Sequence, residues 1–464
     1  MKLGGRLNHR LDEPKTAIAV PSALSPKTWP FSLEWLPSSA CLVGGTVRDA
    51  LLGRHSEYLD LDFVLPVGSV ETAQAIARHY KAGFVLLDAD RQIARVVFRQ
   101  GTADFAQQVG SSLEADLRRR DFTVNAIAYN PHTDQILDPL HGYADLQKHV
   151  IRMVSAENLR EDPLRLLRAY RQAAQLSFSL ETDTRALVPQ LAPLLSRIAA
   201  ERVQSELNYL LSTFKGTAWL TAAWQDCLLK DWFPDAMAES LNRVAVIDQA
   251  AARIHETLPA FASQLASRLR SSTKATESAQ PIDTSASGSA RSWLTVAKLA
   301  SLLPITPARA ELQLRHLKYS RTEIQAVSTV LKFLPSLCAA VQVSGSGHPT
   351  IALSLREQFR FFQDVGATFP AVAVLAIASG VPFEAIVPLM HRFLTPDDPV
   401  AHPTPLLTGK DLMVALRIPA GPHIGYLLSE IQLARAEGSI TSATEALQLA
   451  RVLSAENPTL RSSK

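Results

Sequence analysis

Asp60 and Asp62 occupy alternate positions of an apolar run, and alternate residues of a β-strand point to one face. Two carboxylates so placed can hold metal ions side by side. Just upstream, Leu42-Val43-Gly44-Gly45-Thr46-Val47-Arg48-Asp49 opens a basic, helix-like segment with a glycine pair. Gly44 and Gly45 let backbone N–H groups come close to a phosphate, and Arg48 lies one turn into the helix behind them. Singly, a Gly-Gly is an ordinary turn and an Asp-x-Asp is ordinary solvated charge. Together, at this separation, they are the parts of a nucleotidyl-transfer site: metal carboxylates beside a phosphate cradle.

Two further clusters carry charge of the complementary sign. Arg118, Arg119 and Arg120 run into Asp121-Phe122-Thr123-Val124-Asn125 and an apolar strand, so at least one of these arginines should point inward. An Arg fork suits triphosphate oxygens, and Asp121 or Asn125 can bond ribose hydroxyls. A structural role for the cluster remains open on the residues alone. In Glu161-Asp162-Pro163-Leu164-Arg165, Asp162 has the position of an N-cap and Pro163 that of a first helical residue. That reading leaves Arg165, Arg168 and Arg171 unexplained, because their spacing lines one side of the helix and faces something anionic. Asp162 and Arg165 also offer one acceptor beside one donor. Cytosine and adenine share the matching edge, whereas uracil and guanine present the opposite order.

These residues need elements to hold them. Short β-type runs at 60–65, 83–87, 94–98, 102–105 and 126–130 alternate with helical segments, giving an α/β head. From residue 158 to 270 the apolar spacing is helical, and it is helical again from 293 to about 453. Residues 271–292, rich in Ser, Thr and Ala, read as a flexible linker. The expected division is an N-terminal extension 1–28, a head 29–154, a helical neck 155–215, a body 216–270, the linker, and a helical body and tail 293–464. A chain of 464 residues with 47% hydrophobic and 20% charged residues is globular and too long for one core. Its formal charge of +3 does not diagnose nucleic-acid binding, so RNA contact must rest on local arginines. The three cysteines lack metal or disulfide spacing, which fits a reducing cytoplasm. The first 26 residues lack the apolar core of a signal peptide. Residues 366–383 are apolar but broken by Pro370, Gly380 and Pro382, and read as a buried helix plus a turn and not as a membrane span.

The glycine pair with Asp60 and Asp62 resembles the nucleotidyltransferase superfamily to which DNA polymerase β belongs. The full set resembles the class II tRNA nucleotidyltransferases, or CCA-adding enzymes, with the bacterial poly(A) polymerases derived from them. The matching segments are 42–53, Asp60 with Asp62, 119–126, Asp138-Pro139 with Gly142 and Asp145-Leu146, Ile151-Arg152, 161–171, Glu201-Arg202 and Glu206-Leu207. A weaker likeness returns at 407–447, beginning with Thr408-Gly409-Lys410-Asp411-Leu412. The resemblance implies an α+β chain: a polymerase-β-like head of mixed sheet and helices, followed by an elongated all-helical neck, body and tail. It implies that Asp60 and Asp62 bind two catalytic Mg2+ ions, with Asp104 as a third carboxylate on the next strand. Gly45, Arg48 and Arg120 would contact the nucleotide, Asp162 and Arg165 would read its base, and Arg168 and Arg171 would extend the site toward RNA.

The implied reaction is template-independent. A terminal 3′-hydroxyl of tRNA attacks the α-phosphate of CTP or ATP in line, and pyrophosphate leaves. The implied partner is the tRNA acceptor arm, held by the downstream helices, with no membrane and no obligate protein partner. A poly(A) polymerase or A-adding enzyme shares every head motif, and a non-catalytic RNA-binding protein would not need Asp60 and Asp62. A fused His-Asp phosphohydrolase is excluded because the chain has no His-Asp doublet. In CCA-adding relatives a long flexible loop precedes the Arg-Arg-Asp segment, whereas here only residues 105–118 fill that interval. Relatives lacking the loop tend to add CC alone, so CC, full CCA and A-only or poly(A) products all stay open.

Overall fold

The computed structural model describes residues 18–54, 56, 58–269, 291–343 and 348–456. The start of the expected N-terminal extension and nearly all of the expected linker lie outside the described residues. The chain divides after Ile198 into two compact units.

In the first unit the alternating runs form one mixed sheet, in the order β3-β4-β5-β2-β1-β6-β7. Its strands are β1 (Cys41–Val43), β2 (Leu59–Leu65), β3 (Gly83–Asp88), β4 (Ile93–Phe98), β5 (Gly101–Gln107), β6 (Ala128–Asn130) and β7 (Gln135–Leu137). β2 and β5 pair in parallel, and the remaining pairs are antiparallel. The parallel pair is possible because helix α2 (Ser69–Tyr80) and the β3–β4 hairpin intervene in the chain, and α2 packs across β4 and β5. Alternation divides β2 cleanly. Phe63 turns to one face, where its ring stacks on Phe105 at 5.3 Å and meets Phe31 at 5.8 Å. Asp60, Asp62 and Val64 turn to the other, and there Val64 joins a core with Cys41, Val43, Leu117, Ala126 and Ala128. The acids therefore sit at the open end of a face whose other end is sealed by apolar packing.

The expected strand at 126–130 begins only at Ala128. A 3-10 turn, Thr123–Asn125, comes just before it, held where Thr123 Oγ1 donates to Asp145 at 2.7 Å and Asn125 Nδ2 donates to Asp121. Helix α1 (Gly45–Leu51) follows β1 directly. The chain between β5 and Arg118 is short: residues 108–112 turn, and helix α3 (Leu113–Leu117) begins under a Ser112 cap. After β7 come α4 (Gly142–Gln147), α5 (Ala156–Glu161) and α6 (Leu164–Leu176). α6 buries Leu164, Leu167 and Tyr170, which leaves its arginines on the opposite side.

Among its described residues the second unit is helical apart from one antiparallel strand pair, Val341–Val343 with Pro349–Ile351. Capping boxes start its helices at Ser320, Ser354 and Thr408. Its centre is an aromatic cluster in which Phe369 lies 5.0 Å from Phe362, 5.2 Å from Phe393 and 5.9 Å from Phe261. One stretch, Leu355–Ala378, is long and apolar enough to cross a membrane, and 67% of its most apolar window is buried inside the fold. A 3-10 turn at Gly366–Thr368 interrupts it, and the helix Phe369–Ala378 is followed by a turn, as expected for a core helix. The residues from Leu406 to Leu453 pack around a smaller core that includes Leu412, Leu427 and Ile431.

Candidate active site

A cleft of about 440 Å³ in the first unit gathers nearly every residue singled out by the sequence. Gly44, Gly45, Arg48, Asp60, Asp62, Arg120, Asp121, Asn125, Asp162, Arg165, Arg168 and Arg171 all line it; Asp104 does not. A larger groove of about 930 Å³, walled by Val20–Leu33 with Tyr80 and Tyr129, contains none of them and has no comparable charge.

The floor is set by the glycine turn. Gly44 has φ +76°, a backbone state that disfavours any side chain, and a Cβ there would stand 3.4 Å from Asp62 Oδ2 and 3.5 Å from Arg120 Nη1. The turn thus brings bare backbone between a carboxylate and a guanidinium. Thr46 Oγ1 donates to the Asp60 carbonyl, tying α1 to β2. Arg48 is buried and fully engaged: Nε and Nη2 hold both oxygens of Asp49 at 2.9 Å, and Nη1 donates to Asn125 Oδ1 at 2.8 Å. Asn125 Nδ2 donates to Asp121 at 2.9 Å and to Gln172 at 3.0 Å, so this amide joins α1, the Asp121 segment and α6. Burial alone would raise the Asp121 pKa. The Arg168 guanidinium at 3.4 Å and hydrogen bonds from Asn125 and the Phe122 amide outweigh it and hold Asp121 below the usual carboxylate range.

The three consecutive arginines separate. Arg118 and Arg119 pair on the surface with Glu114 and Glu161, while Arg120 turns into the cleft. Asn158 Nδ2 donates to the carbonyls of Arg118 and Arg120, both at 2.8 Å, and so fixes the segment against α5. Arg120 Nη2 lies 3.3 Å from Asp116, and its buried Nε has no hydrogen-bond partner among the described residues. An unsatisfied buried donor beside a glycine turn fits an anionic ligand. At the mouth of α6 the N-cap position falls on Pro163, one residue later than expected, and Asp162 caps from just before it, its Oδ1 accepting from the Leu164 amide at 3.3 Å. Its Oδ2 lies 4.0 Å from Arg165 Nε, and Arg165 Nη1 donates to the Arg119 carbonyl at 2.7 Å. Both side chains still border the cleft.

The acids are placed by strand register. Asp62 pairs with Asp104 and Asp60 with Thr102 across the parallel β2–β5 ladder. Burial first, then the charges of Asp60 and Asp104, push the Asp62 carboxyl up to about 7. A divalent cation would relieve this crowding, and hard carboxylate oxygens suit magnesium, so Asp60 and Asp62 fit that ion. Asp104 shares their face but gives both oxygens to Arg95, at 2.7 Å each. Among the described residues no three Asp, Glu, His or Cys side chains form a ready metal-binding group.

Sequence reasoning missed Thr46, Asp49, Gln172 and Gln175 in the cleft wall. Gln172 and Gln175 lie four residues beyond Arg168 and Arg171, one turn further along the same side of α6, a signal that was there to follow. Arg95 and Thr102 gave no such signal, because only the strand register brings them to the acids.

A strand pair carrying adjacent carboxylates, a glycine turn against them and a wall of arginines define an enzyme of nucleotidyl transfer. The comparisons narrow the class. Residues 40–152 match the family model for the poly(A) polymerase head domain, 177–239 that for an RNA- and SrmB-binding site of polymerase A, and 288–450 that for domain 2 of tRNA nucleotidyltransferase. The chain is 47% identical to the CC-adding tRNA nucleotidyltransferase of Synechocystis over 91% of its own length and 96% of that protein. It is 30% identical to the CC-adding tRNA nucleotidyltransferase of Geobacter sulfurreducens, over 88% and 90% of the two chains. The fold matches that of the Thermotoga maritima CCA-adding enzyme, solved with tRNA, with a TM-score of 0.61 at 22% identity over 89% and 91% of the two chains. The chain belongs to the tRNA nucleotidyltransferase family.

Proposed function

We propose that this chain adds two cytidines to the 3′ end of tRNA and stops before the terminal adenosine. The reading rests above all on one observation: a single cleft holds the Asp60/Asp62 pair, the Gly44 turn and the Asp162/Arg165 pair. Acid pair and base reader are then within reach of one nucleotide. Two magnesium ions, carried by Asp60 and Asp62 and joined by Asp104, would lower the pKa of the tRNA 3′-hydroxyl and neutralise the departing pyrophosphate. The remaining work is positioning. Gly44 and Gly45 let the triphosphate approach the backbone, and Arg120 offers it the unsatisfied Nε. Asp121 and Asn125, at the nucleotide's edge, hold Arg168 and Arg48 in place. Asp162 and Arg165 accept cytosine, and Arg168 and Arg171 extend the basic wall toward the RNA. The helical neck (155–215), body (216–270) and tail (293–464) hold the acceptor arm by shape and phosphate contacts. The setting is the cytoplasm.

Two observations favour the CC product. Two relatives that match along nearly the whole chain, those of Synechocystis and Geobacter sulfurreducens, are named CC-adding. The interval from Phe105 to Arg118 is a tight turn and one short helix, with the Val109 amide bonded to Asp116 at 3.0 Å. Passing from the smaller pyrimidine to the larger purine needs the head and the Asp162 helix to shift, and this interval has no slack to lever them. The test is incorporation into tRNA ending at the discriminator base, with CTP alone, ATP alone and both. The expected product with both nucleotides is extension by two cytidines followed by a stall. Efficient addition of the terminal A by the purified protein refutes the CC reading.

A further inference from the structure

Arg95 lies on β4, beyond β5 from the acid pair. The registers put Arg95, Asp104 and Asp62 in one row across β4, β5 and β2. Cross-strand partners share a face, so the guanidinium belongs to the same surface as the carboxylates. The Arg95–Asp104 contact is a two-pronged fork, with Nε and Nη2 each 2.7 Å from a different oxygen. An exposed pair of this kind would contribute little. Here the two side chains are only 18% and 19% exposed, so screening is weak and the geometry is held. In the neighbouring row Thr102 Oγ1 donates to Asp60 Oδ1 at 2.6 Å. Each outer acid therefore has its own clamp on β4 or β5, and the two clamps are unlike: a hydroxyl for Asp60, a full positive charge for Asp104.

We propose that Arg95 is a positioning residue of the nucleotidyl-transfer centre: it orients the Asp104 carboxylate beside Asp62 and supplies the charge that lets three carboxylates share one strand face. This rests on the reading of Asp60 and Asp62 as magnesium carboxylates. Without Arg95 the row of Asp62 and Asp104 would hold two acids and no cation, with Asp60 in the next row adding to the repulsion. With Arg95, both Asp104 oxygens are held in one orientation on the face. Each of its oxygens keeps a second lone pair, so the fork does not bar Asp104 from an ion. Arginine suits this role better than lysine, because only a planar fork fixes both oxygens at once.

The test melts the full-length protein in EDTA and in excess MgCl2, and measures CTP addition to tRNA. In Arg95→Gln the EDTA melting temperature should fall by roughly 3 °C or more. The stabilisation given by MgCl2 should grow, because the ion now relieves a repulsion that Arg95 had offset. kcat should fall about tenfold or more while KM for CTP stays within about twofold. Arg95→Lys should recover the EDTA melting temperature but not kcat. In an Asp104→Asn background, Arg95→Gln should add nothing to the MgCl2 response. Unchanged melting and turnover in Arg95→Gln, full kcat in Arg95→Lys, or an additive MgCl2 effect in the double variant each overturns the role of Arg95. If Arg95→Gln does not fold, the lysine and double variants decide the matter. A wild-type chain whose melting ignores MgCl2 overturns the magnesium reading itself.

Discussion

In the role proposed for them, Asp60 and Asp62 are residues costly to the fold and required by its chemistry. Asp62 is half-buried next to two other acids, and its carboxyl is pushed up to about 7 by burial and by their charge. Nothing in packing asks for it. Asp60→Ala or Asp62→Ala should therefore leave the melting temperature unchanged or raised, while nucleotide addition falls by a factor on the order of a thousand or more. Turnover near wild type in either variant would remove the metal assignment. Asp162 carries the opposite ambiguity, since it caps α6 and also borders the cleft. If it reads the base, Asp162→Ala should raise UTP or GTP misincorporation relative to CTP roughly tenfold, about 1.4 kcal/mol of discrimination. Measuring all four nucleotides separates the roles, because a lost cap lowers every rate alike. At this scale the sequence was informative where chemistry depends on spacing along the chain, as with Asp60 and Asp62 or Arg165, Arg168 and Arg171. It was silent on Arg95 and Thr102, whose meaning comes only from the strands beside them.

The elements were legible to the degree that they repeat a pattern. β2, β4 and β5 alternate over six or seven residues and were found nearly to their ends. β1 is buried throughout over three residues, and β7 is three residues with none buried, so neither has a period to read. The run expected at 126–130 starts two residues late, at Ala128, after a Thr123–Asn125 turn whose path is set by side-chain bonds to Asp145 and Asp121 and by no period in the sequence. The connection after β5 has a consequence that spacing alone did not suggest. Asp116 accepts from the Val109 amide and from Arg120, so one carboxylate ties the tight turn to a cleft arginine. Asp116→Ala should free both, and KM for CTP should rise by roughly three- to tenfold with a smaller change in kcat. Steady-state addition to a defined tRNA gives both constants, and an unchanged KM would mean that Arg120 needs no such tether.

On the scale of the whole molecule, the helical unit is stabilised around a polar centre as well as an aromatic one. Lys298 is fully buried, with Nζ 2.6 Å from Asp248 and 3.1 Å from Thr217 Oγ1. Thr217 in turn donates to the other oxygen of Asp248 at 2.5 Å. Burial lowers the Lys298 pKa, and Asp248 opposes that shift. Removing one partner strands the other in the interior. Lys298→Met should cost about 3–5 kcal/mol in denaturant unfolding, and the double variant with Asp248→Leu should regain most of it. Equal losses in single and double variants would show that the pair is valued for its shape and not for its charge. No sequence pattern announces this triad, since Thr217, Asp248 and Lys298 lie on three helices and each reads alone as a surface residue.

The parallel pairing of β2 with β5 also fixes when the head becomes an enzyme. Asp60 and Asp62 are made early in the chain, yet their row partners Thr102 and Asp104 arrive only after α2 and the β3–β4 hairpin have been threaded. No local stretch contains the whole acid row, and the pairing of β2 with β5 that completes it is a long-range event of the slow kind. The phenylalanine core waits on the same strand, because Phe63 stacks on Phe105 of β5. A chain interrupted before Gly101 lacks Thr102 and Asp104 and has no complete acid row.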